Sequence, residues 1–174
     1  MPNYRRARVR GATFFFTVVL AKRGSSLLTE RIEDLRRAYV ATTATMPVHC
    51  DAMVVLPDHI HAVWTLPQGD GSYSERWRKI KFRFSRAVGC RFPRSASKIA
   101  KRETGLWQRR FWEHTIRNEE DYRRHVEYCW GNPVKHGLVR QASDWPFSSI
   151  HREIRLGRVA AEWCGQTETG RFGE

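Results

Sequence analysis

Val54-Val55-Leu56-Pro57-Asp58-His59-Ile60-His61-Ala62-Val63-Trp64 is a run fit for a buried strand, yet it carries two histidines one residue apart. Side chains two positions apart on a strand share a face. His59 and His61 therefore point one way, while Ile60, Ala62, Trp64 and Leu66 point the other way, towards a core. Two imidazoles side by side on an otherwise apolar sheet face can hold a cation. Alone the pair is a weak signal, because His-x-His also arises by chance.

The rest of the chain surrounds that strand with alternating elements. Gly11 to Leu20, rich in aromatic and β-branched residues, reads as a buried strand. Gly24-Ser25-Ser26 breaks it and offers an N-cap for a helix to about Thr45, with Leu28, Ile32, Leu35 and Tyr39 at helical spacing. Val48 to Leu56 and His59 to Leu66 follow as strands joined at Pro57-Asp58, and residues 67–72 form a loop on turn chemistry. Ser74 to Val88 is a basic helix with Trp77, Ile80 and Phe84 as its apolar stripe; Arg91 to Gly105 is a basic connection. Leu106 to Ile116 is the expected fourth strand, interrupted by Gln108-Arg109-Arg110. Asn118 caps a further helix with acidic residues in its first turn, and Pro133 predicts that it ends near Asn132. Ser143 to Leu156 reads as a short helical segment. The order is that of an α+β, ferredoxin-like β-α-β-β-α-β sheet with helices on one face and an added C-terminal helix. We expect one domain over residues 1–156 and a tail over 157–174.

With 31 Lys and Arg against 18 Asp and Glu, the formal charge is +13, which points to a polyanionic partner. The charge is clustered: Arg5, Arg6, Arg8 and Arg10 crowd the start, and eleven basic residues to one acidic lie between Glu75 and Arg102. We expect Arg5, Arg6, Arg8, Arg10, Arg76, Arg78, Lys79, Lys81 and Arg83 to meet DNA phosphates, with salt-sensitive affinity. A basic helix lying on a membrane surface is the competing reading of that stretch. No apolar run approaches the roughly 18 residues of a membrane span. Cys50, Cys90, Cys129 and Cys164 lack Cys-x-x-Cys spacing, so reduced thiols in a cytoplasmic protein are expected.

On the last helix, Tyr128 and Asn132 lie within about 40° of each other, whereas Tyr122 sits about 80° from Asn132. Spacing thus favours Tyr128 as the partner of Asn132, although a half-buried tyrosine and a helix-end polar group have the same pattern. Leu56-Pro57-Asp58-His59-Ile60-His61 together with Asp121-Tyr122, Tyr128 and Asn132-Pro133-Val134-Lys135-His136-Gly137-Leu138-Val139 resembles the REP-associated tyrosine transposases. These belong to the single-tyrosine, His-hydrophobic-His (HUH) nucleases. The likeness runs from Tyr4-Arg5-Arg6 through Trp107-Gln108-Arg109-Arg110-Phe111-Trp112-Glu113-His114 to Asp144-Trp145-Pro146-Phe147-Ser148-Ser149, and covers the chain to about Gly157. One position departs: Gly131 stands where relatives commonly carry a bulky residue, and glycine weakens a helix's last turn.

The resemblance implies that His59, His61 and Asn132 bind a divalent metal, Mg2+ or Mn2+, and that Tyr128 is the catalytic nucleophile. Tyr128 would attack single-stranded DNA at the foot of a hairpin from a repetitive extragenic palindrome, giving a 5′-phosphotyrosine link and a free 3′-hydroxyl. The protein would act as a monomer or homodimer, in cis or in trans. On ligand type alone, imidazole suits Mn2+ or Zn2+ better than Mg2+. His125, one turn before Tyr128, is a possible proton acceptor, with surface packing the commoner role. The rival reading is a non-catalytic single-stranded nucleic-acid binder, which has no need of a His-x-His pair. A hydrolytic metalloenzyme is less favoured, since no His-Glu-x-x-His is present.

Overall fold

Aromatic and β-branched residues from Thr13 onward make the central strand β1 (Thr13–Val19). In the computed structural model, which describes residues 9–89, 96–100 and 105–165, it is joined by β2 (His49–Val55), β3 (His59–Thr65) and β4 (Trp112–Thr115). The sheet order is β2-β3-β1-β4 and every pair is antiparallel, the expected ferredoxin-like α+β arrangement. Thr17 lies opposite His61 and Val19 opposite His59.

Alternation along β1 and β3 sorts two cores. Phe14, Phe16 and Val18 join Ile60, Ala62 and Trp64 on one face, covered by α2 (Ile32–Thr43) and α3 (Tyr73–Val88). Trp64 stacks on Trp77 of α3 with centroids 4.3 Å apart and planes at 9°. Phe15 and Val63, with Ala52 and Val54 of β2, face the other way and are covered by α5 (Glu119–Lys135). The added C-terminal helix thus closes the face that the other long helices leave open, and this is why β1 and β3 are buried almost throughout.

Several expected boundaries move. The first helix is two, α1 (Leu27–Glu30) and α2, broken at Arg31, whose side chain reaches across to Ala87 O of α3 at 3.2 Å. The fourth strand shrinks to four residues, and Gln108, Arg109 and Arg110 ahead of it are exposed. An isolated bridge between Leu20 and Trp107 precedes it, with Gln108 N donating to Val19 O at 2.9 Å. The basic connection holds a short helix, α4 (Ala96–Ala100), and residues 90–95 and 101–104 lie outside those described. α5 continues past Pro133 to Lys135. Proline's fixed φ suits a helix; here the cost of the missing N–H is offset by burial of Gly131, Asn132 and Pro133 against the sheet, and His136 N donates to Asn132 O at 3.0 Å.

The segment expected as one helix over Ser143 to Leu156 is a 3-10 turn, Ala142–Asp144, then an extended stretch and α6 (Ile150–Arg155). The stretch covers the edge of β2: Val55 N donates to Phe147 O at 2.9 Å and Ser149 N to Met53 O at 2.8 Å. Covering an edge removes a template for intermolecular pairing. Beyond α6, Trp163 packs edge-on against Trp130 of α5 at 5.7 Å, while tail residues 166–174 fall outside the described range. No helix among the described residues is long and apolar enough to cross a membrane.

Trp77→Ala empties the slot over Trp64 and is expected to cost about 3–5 kcal/mol in urea denaturation. Phe82→Ala, on the exposed flank of the same helix, is expected to stay within about 0.5 kcal/mol.

Candidate active site

The β1–β3 register builds the site's floor. Thr17 Oγ1 lies 3.0 Å from Nδ1 of His61 on the neighbouring strand. Asp58, in the turn before β3, sets Oδ1 2.6 Å from Nδ1 of His59, while its Oδ2 accepts from Gly24 N at 2.7 Å and faces Arg23 at 3.4 Å. Burial alone would raise the Asp58 carboxyl, but these hydrogen bonds and charges outweigh it and hold the group below the usual carboxylate range. Burial also pushes the His59 imidazole down, against the pull of Asp58, so the neutral form is favoured. Both histidines are buried, with ring centroids 4.9 Å apart at 80°. Each is anchored through Nδ1, which turns the Nε2 edges away from the anchors; Nε2 of His59 is buried and has no hydrogen-bond partner. Imidazoles oriented by a carboxylate and a hydroxyl are what a divalent cation requires of its ligands, so the residues fit a metal.

α5 forms the roof. Tyr128 lies edge-on to His61 with centroids 5.2 Å apart, and Lys135 Nζ donates to its phenol oxygen at 3.0 Å. The His136 ring at the helix end stands 5.3 Å from His59. Asn132 is on the same helix, 1% exposed, one turn beyond Tyr128. Tyr122 is elsewhere: its hydroxyl donates to Asp51 Oδ1 at 3.0 Å, and burial with the Asp51 charge pushes that phenol well up. The helix is unbroken at Gly131.

Nδ1 of His125 lies 2.7 Å from Asp121 O, and its ring stacks on His114 at 4.6 Å. His114, Asp121 and His125 form a group of their own, with potential ligand atoms all within 4.8 Å of one another. This cluster escaped the sequence reading because its members sit on β4 and α5, whose approach no spacing announces. Lys135 was more accessible, being seven residues, about two turns, after Tyr128 on the same helix face.

The expected DNA contacts separate into groups. Arg5, Arg6 and Arg8 lie outside the described residues, and Arg10 is exposed. On α3, Arg78, Lys79 and Arg83 line a shallow groove with Phe82 and Arg86, on the sheet face opposite Tyr128. Lys81 donates to Gln108 O at 3.0 Å and sits over the Trp107 and Phe111 rings, so it is partly committed to the fold. Arg76 departs from expectation. It is 1% exposed and binds Asp70 Oδ2 at 2.6 Å, Pro47 O at 2.6 Å and Met46 O at 3.0 Å, which makes it a structural tie with no surface for a phosphate.

A ferredoxin-like sheet with a His-hydrophobic-His strand beneath a tyrosine-bearing helix defines the His-hydrophobic-His transposase class. Over all 174 residues, and 98% of the relative's length, the chain is 45% identical to the REP-associated tyrosine transposase of Escherichia coli (strain K12). It is 42% identical over 171 residues, 97% of this chain and 96% of the relative, to a Haemophilus influenzae protein given the same name provisionally. A solved REP-associated tyrosine transposase bound to a REP hairpin matches with a TM-score of 0.90 and 45% identity, covering 100% of this chain and 98% of that one. No family model matches. The chain belongs to the REP-associated tyrosine transposases, which are DNA-cleaving and joining enzymes.

Asp70→Asn is expected to cost about 2 kcal/mol at pH 7, because it removes the charged partner of buried Arg76. The Arg76 hydrogen bond holds the Asp70 carboxyl below its ordinary value. The native pair therefore stabilises fully above the ordinary carboxylate range and loses its effect as pH falls through the depressed value. Denaturation curves of the two chains should converge in acid.

Proposed function

We propose that this chain nicks and rejoins single-stranded DNA at the foot of a palindromic hairpin, with Tyr128 as the nucleophile. The observation that carries this reading is the packing of Tyr128 against His61 with Lys135 at its phenol oxygen. The phenol oxygen attacks phosphorus, the bond from phosphorus to the 3′-oxygen breaks, and a 5′-phosphotyrosine and a 3′-hydroxyl result. The phenol proton leaves to solvent and the departing 3′-oxygen gains one. A free phenol has a pKa near 10, so attack at neutral pH needs help with the charge. The Lys135 ammonium supplies it by favouring negative charge on the attacking oxygen. In rejoining, a 3′-hydroxyl attacks the link and Lys135 stabilises the phenolate that departs. Because the phosphotyrosine preserves the phosphodiester's energy, strand transfer needs no external source.

His59, His61 and Asn132 are the residues we assign to hold a divalent cation, Mg2+ or Mn2+. When bound, such an ion offsets charge on the scissile phosphate. Asp58 and Thr17 keep the imidazoles in place for it. The relative solved with a REP hairpin, which matches over the whole chain, supports a hairpin substrate. Exposed Arg10 and the α3 residues Arg78, Lys79 and Arg83 would add affinity without reading sequence.

Labelled hairpin DNA incubated with protein and Mn2+, then run on a denaturing gel, should give a covalent adduct that Tyr128→Phe abolishes and Tyr122→Phe retains. An adduct persisting in Tyr128→Phe, or binding with no adduct in the native chain, rejects the assignment. Lys135→Ala should slow adduct formation by roughly 10²-fold, with partial rescue by Lys135→Arg. The triple variant R78Q/K79Q/R83Q should weaken DNA binding and flatten its dependence on salt by up to about three counterions, leaving adduct chemistry at saturating DNA intact.

A further inference from the structure

We infer that His114, Asp121 and His125 form a second transition-metal site, distinct from the His59–His61 pair, whose cation ties strand β4 to the opening turns of α5. This inference does not rest on the proposed roles of His59, His61 or Tyr128. Nε2 of His114 lies 2.8 Å from Asp121 Oδ2, and Nδ1 of His125 lies 3.2 Å from Asp121 Oδ1. Tetrahedral ligands about 2.0–2.2 Å from an ion stand roughly 3.3–3.5 Å apart. The two carboxylate edges need open by only a few tenths of an ångström to admit one, and the His114 and His125 rings, stacked at 13° with their ligand atoms within 4.8 Å, must turn towards the ion.

The carboxylate is already oriented. Asp121 Oδ2 accepts from Arg117 N at 3.0 Å, and the Asp121 N–H donates to the Asn118 side chain at 2.9 Å. Such supporting hydrogen bonds are the usual company of a ligating carboxylate. Coordination through Nδ1 of His125 exchanges its contact with Asp121 O for the ion. Exposure is graded, with the His125 side chain 6% accessible, Asp121 16% and His114 20%. The cluster is therefore enclosed by protein on one side and open to a solvent ligand on the other. Two imidazoles and one carboxylate suit Zn2+, Mn2+, Fe2+ or Co2+ better than Mg2+ or Ca2+, which favour oxygen ligands.

The two histidine sets cannot share an ion. Thr17 pairs with His61 on β3 and Trp112 on β4, and Phe15 pairs with Val63 and His114. His114 is thus two strands away from His61, roughly 10 Å across the sheet, and two residues further along. The Phe15 ring packs against both His61, at 5.5 Å, and His125, at 4.9 Å. An ion at the second cluster would hold α5 one turn before Tyr128.

Co2+ titration of the H59A/H61A chain, followed by visible absorption, tests the assignment. One Co2+ per chain is expected, with d–d bands and no thiolate band in the near ultraviolet, and Zn2+ should raise the melting temperature. His114→Gln in that background should remove both effects. In the otherwise native chain His114→Gln should lower the Co2+ count by one, which keeps the test valid if the combined variant does not fold. No Co2+ bound by a folded H59A/H61A chain, a count unchanged by His114→Gln, or a thiolate band placing the ion on cysteine would each overturn the proposal.

Discussion

The antiparallel register between β1 and β3 is the constraint on which the remainder of the molecule depends. It sets Thr17 opposite His61 and Val19 opposite His59, at the centre of a sheet covered on both faces. A strand pitch of two then leaves no freedom: a slip of one residue would turn the histidines into the Trp64–Trp77 core and Ile60 towards α5. Burying two imidazoles costs solvation, and here each recovers a hydrogen bond through Nδ1, from Asp58 or Thr17. The same bonds that make the histidines tolerable in the core also orient them. Stability and orientation of the imidazoles are met by one set of contacts.

Covering both faces also separates two tasks. The α2–α3 face carries most of the large aromatic side chains, with Phe14, Phe16, Trp64, Tyr73 and Trp77 buried together. The outward side of α3 is then free to be polar, and Arg78, Lys79, Arg83 and Arg86 occupy it. The α5 face carries the histidines and Tyr128. The α3 cluster therefore lies across the sheet from the imidazoles, near which Arg23 faces Asp58. Near the phenol, Lys135 is the cation whose hydrogen bond reaches Tyr128. Nucleic acid touching both surfaces must pass around an edge of the sheet, and the β2 edge is occupied by residues 145–149.

Much of this was legible in the sequence because periodicity carries it. A pitch of two placed His59 and His61 together, and a pitch of 3.6 placed Tyr128 with Asn132 and set Tyr122 apart. What was not legible depends on contacts between distant segments. The break at Arg31 answers to Ala87 on α3, and the extended stretch before α6 answers to the bare edge of β2. Arg76 sits in a run of basic residues like any surface arginine, yet Asp70 and two carbonyls from residues 46 and 47 draw it inside. The His114–Asp121–His125 cluster is of the same kind, since only β4 pairing beside β1 brings the first histidine to α5.

The turn of α5 beyond Pro133 has the largest consequence among these departures. Had the helix ended at Asn132, Lys135 and His136 would belong to a loop, and nothing local would hold them over the sheet. Continuing it forgoes one backbone hydrogen bond, because Pro133 has no N–H to donate. In return the helix carries Lys135 two turns beyond Tyr128, on the same side, and puts the His136 ring beside His59. Asn132 N–H and C=O then lie inside helical geometry, with its C=O accepting from His136. The side chain of Asn132 thereby inherits the rigidity of a buried helix despite Gly131 before it. Tyr128, Lys135 and Asn132 are thus carried on one continuous helix, across from the histidines of β3.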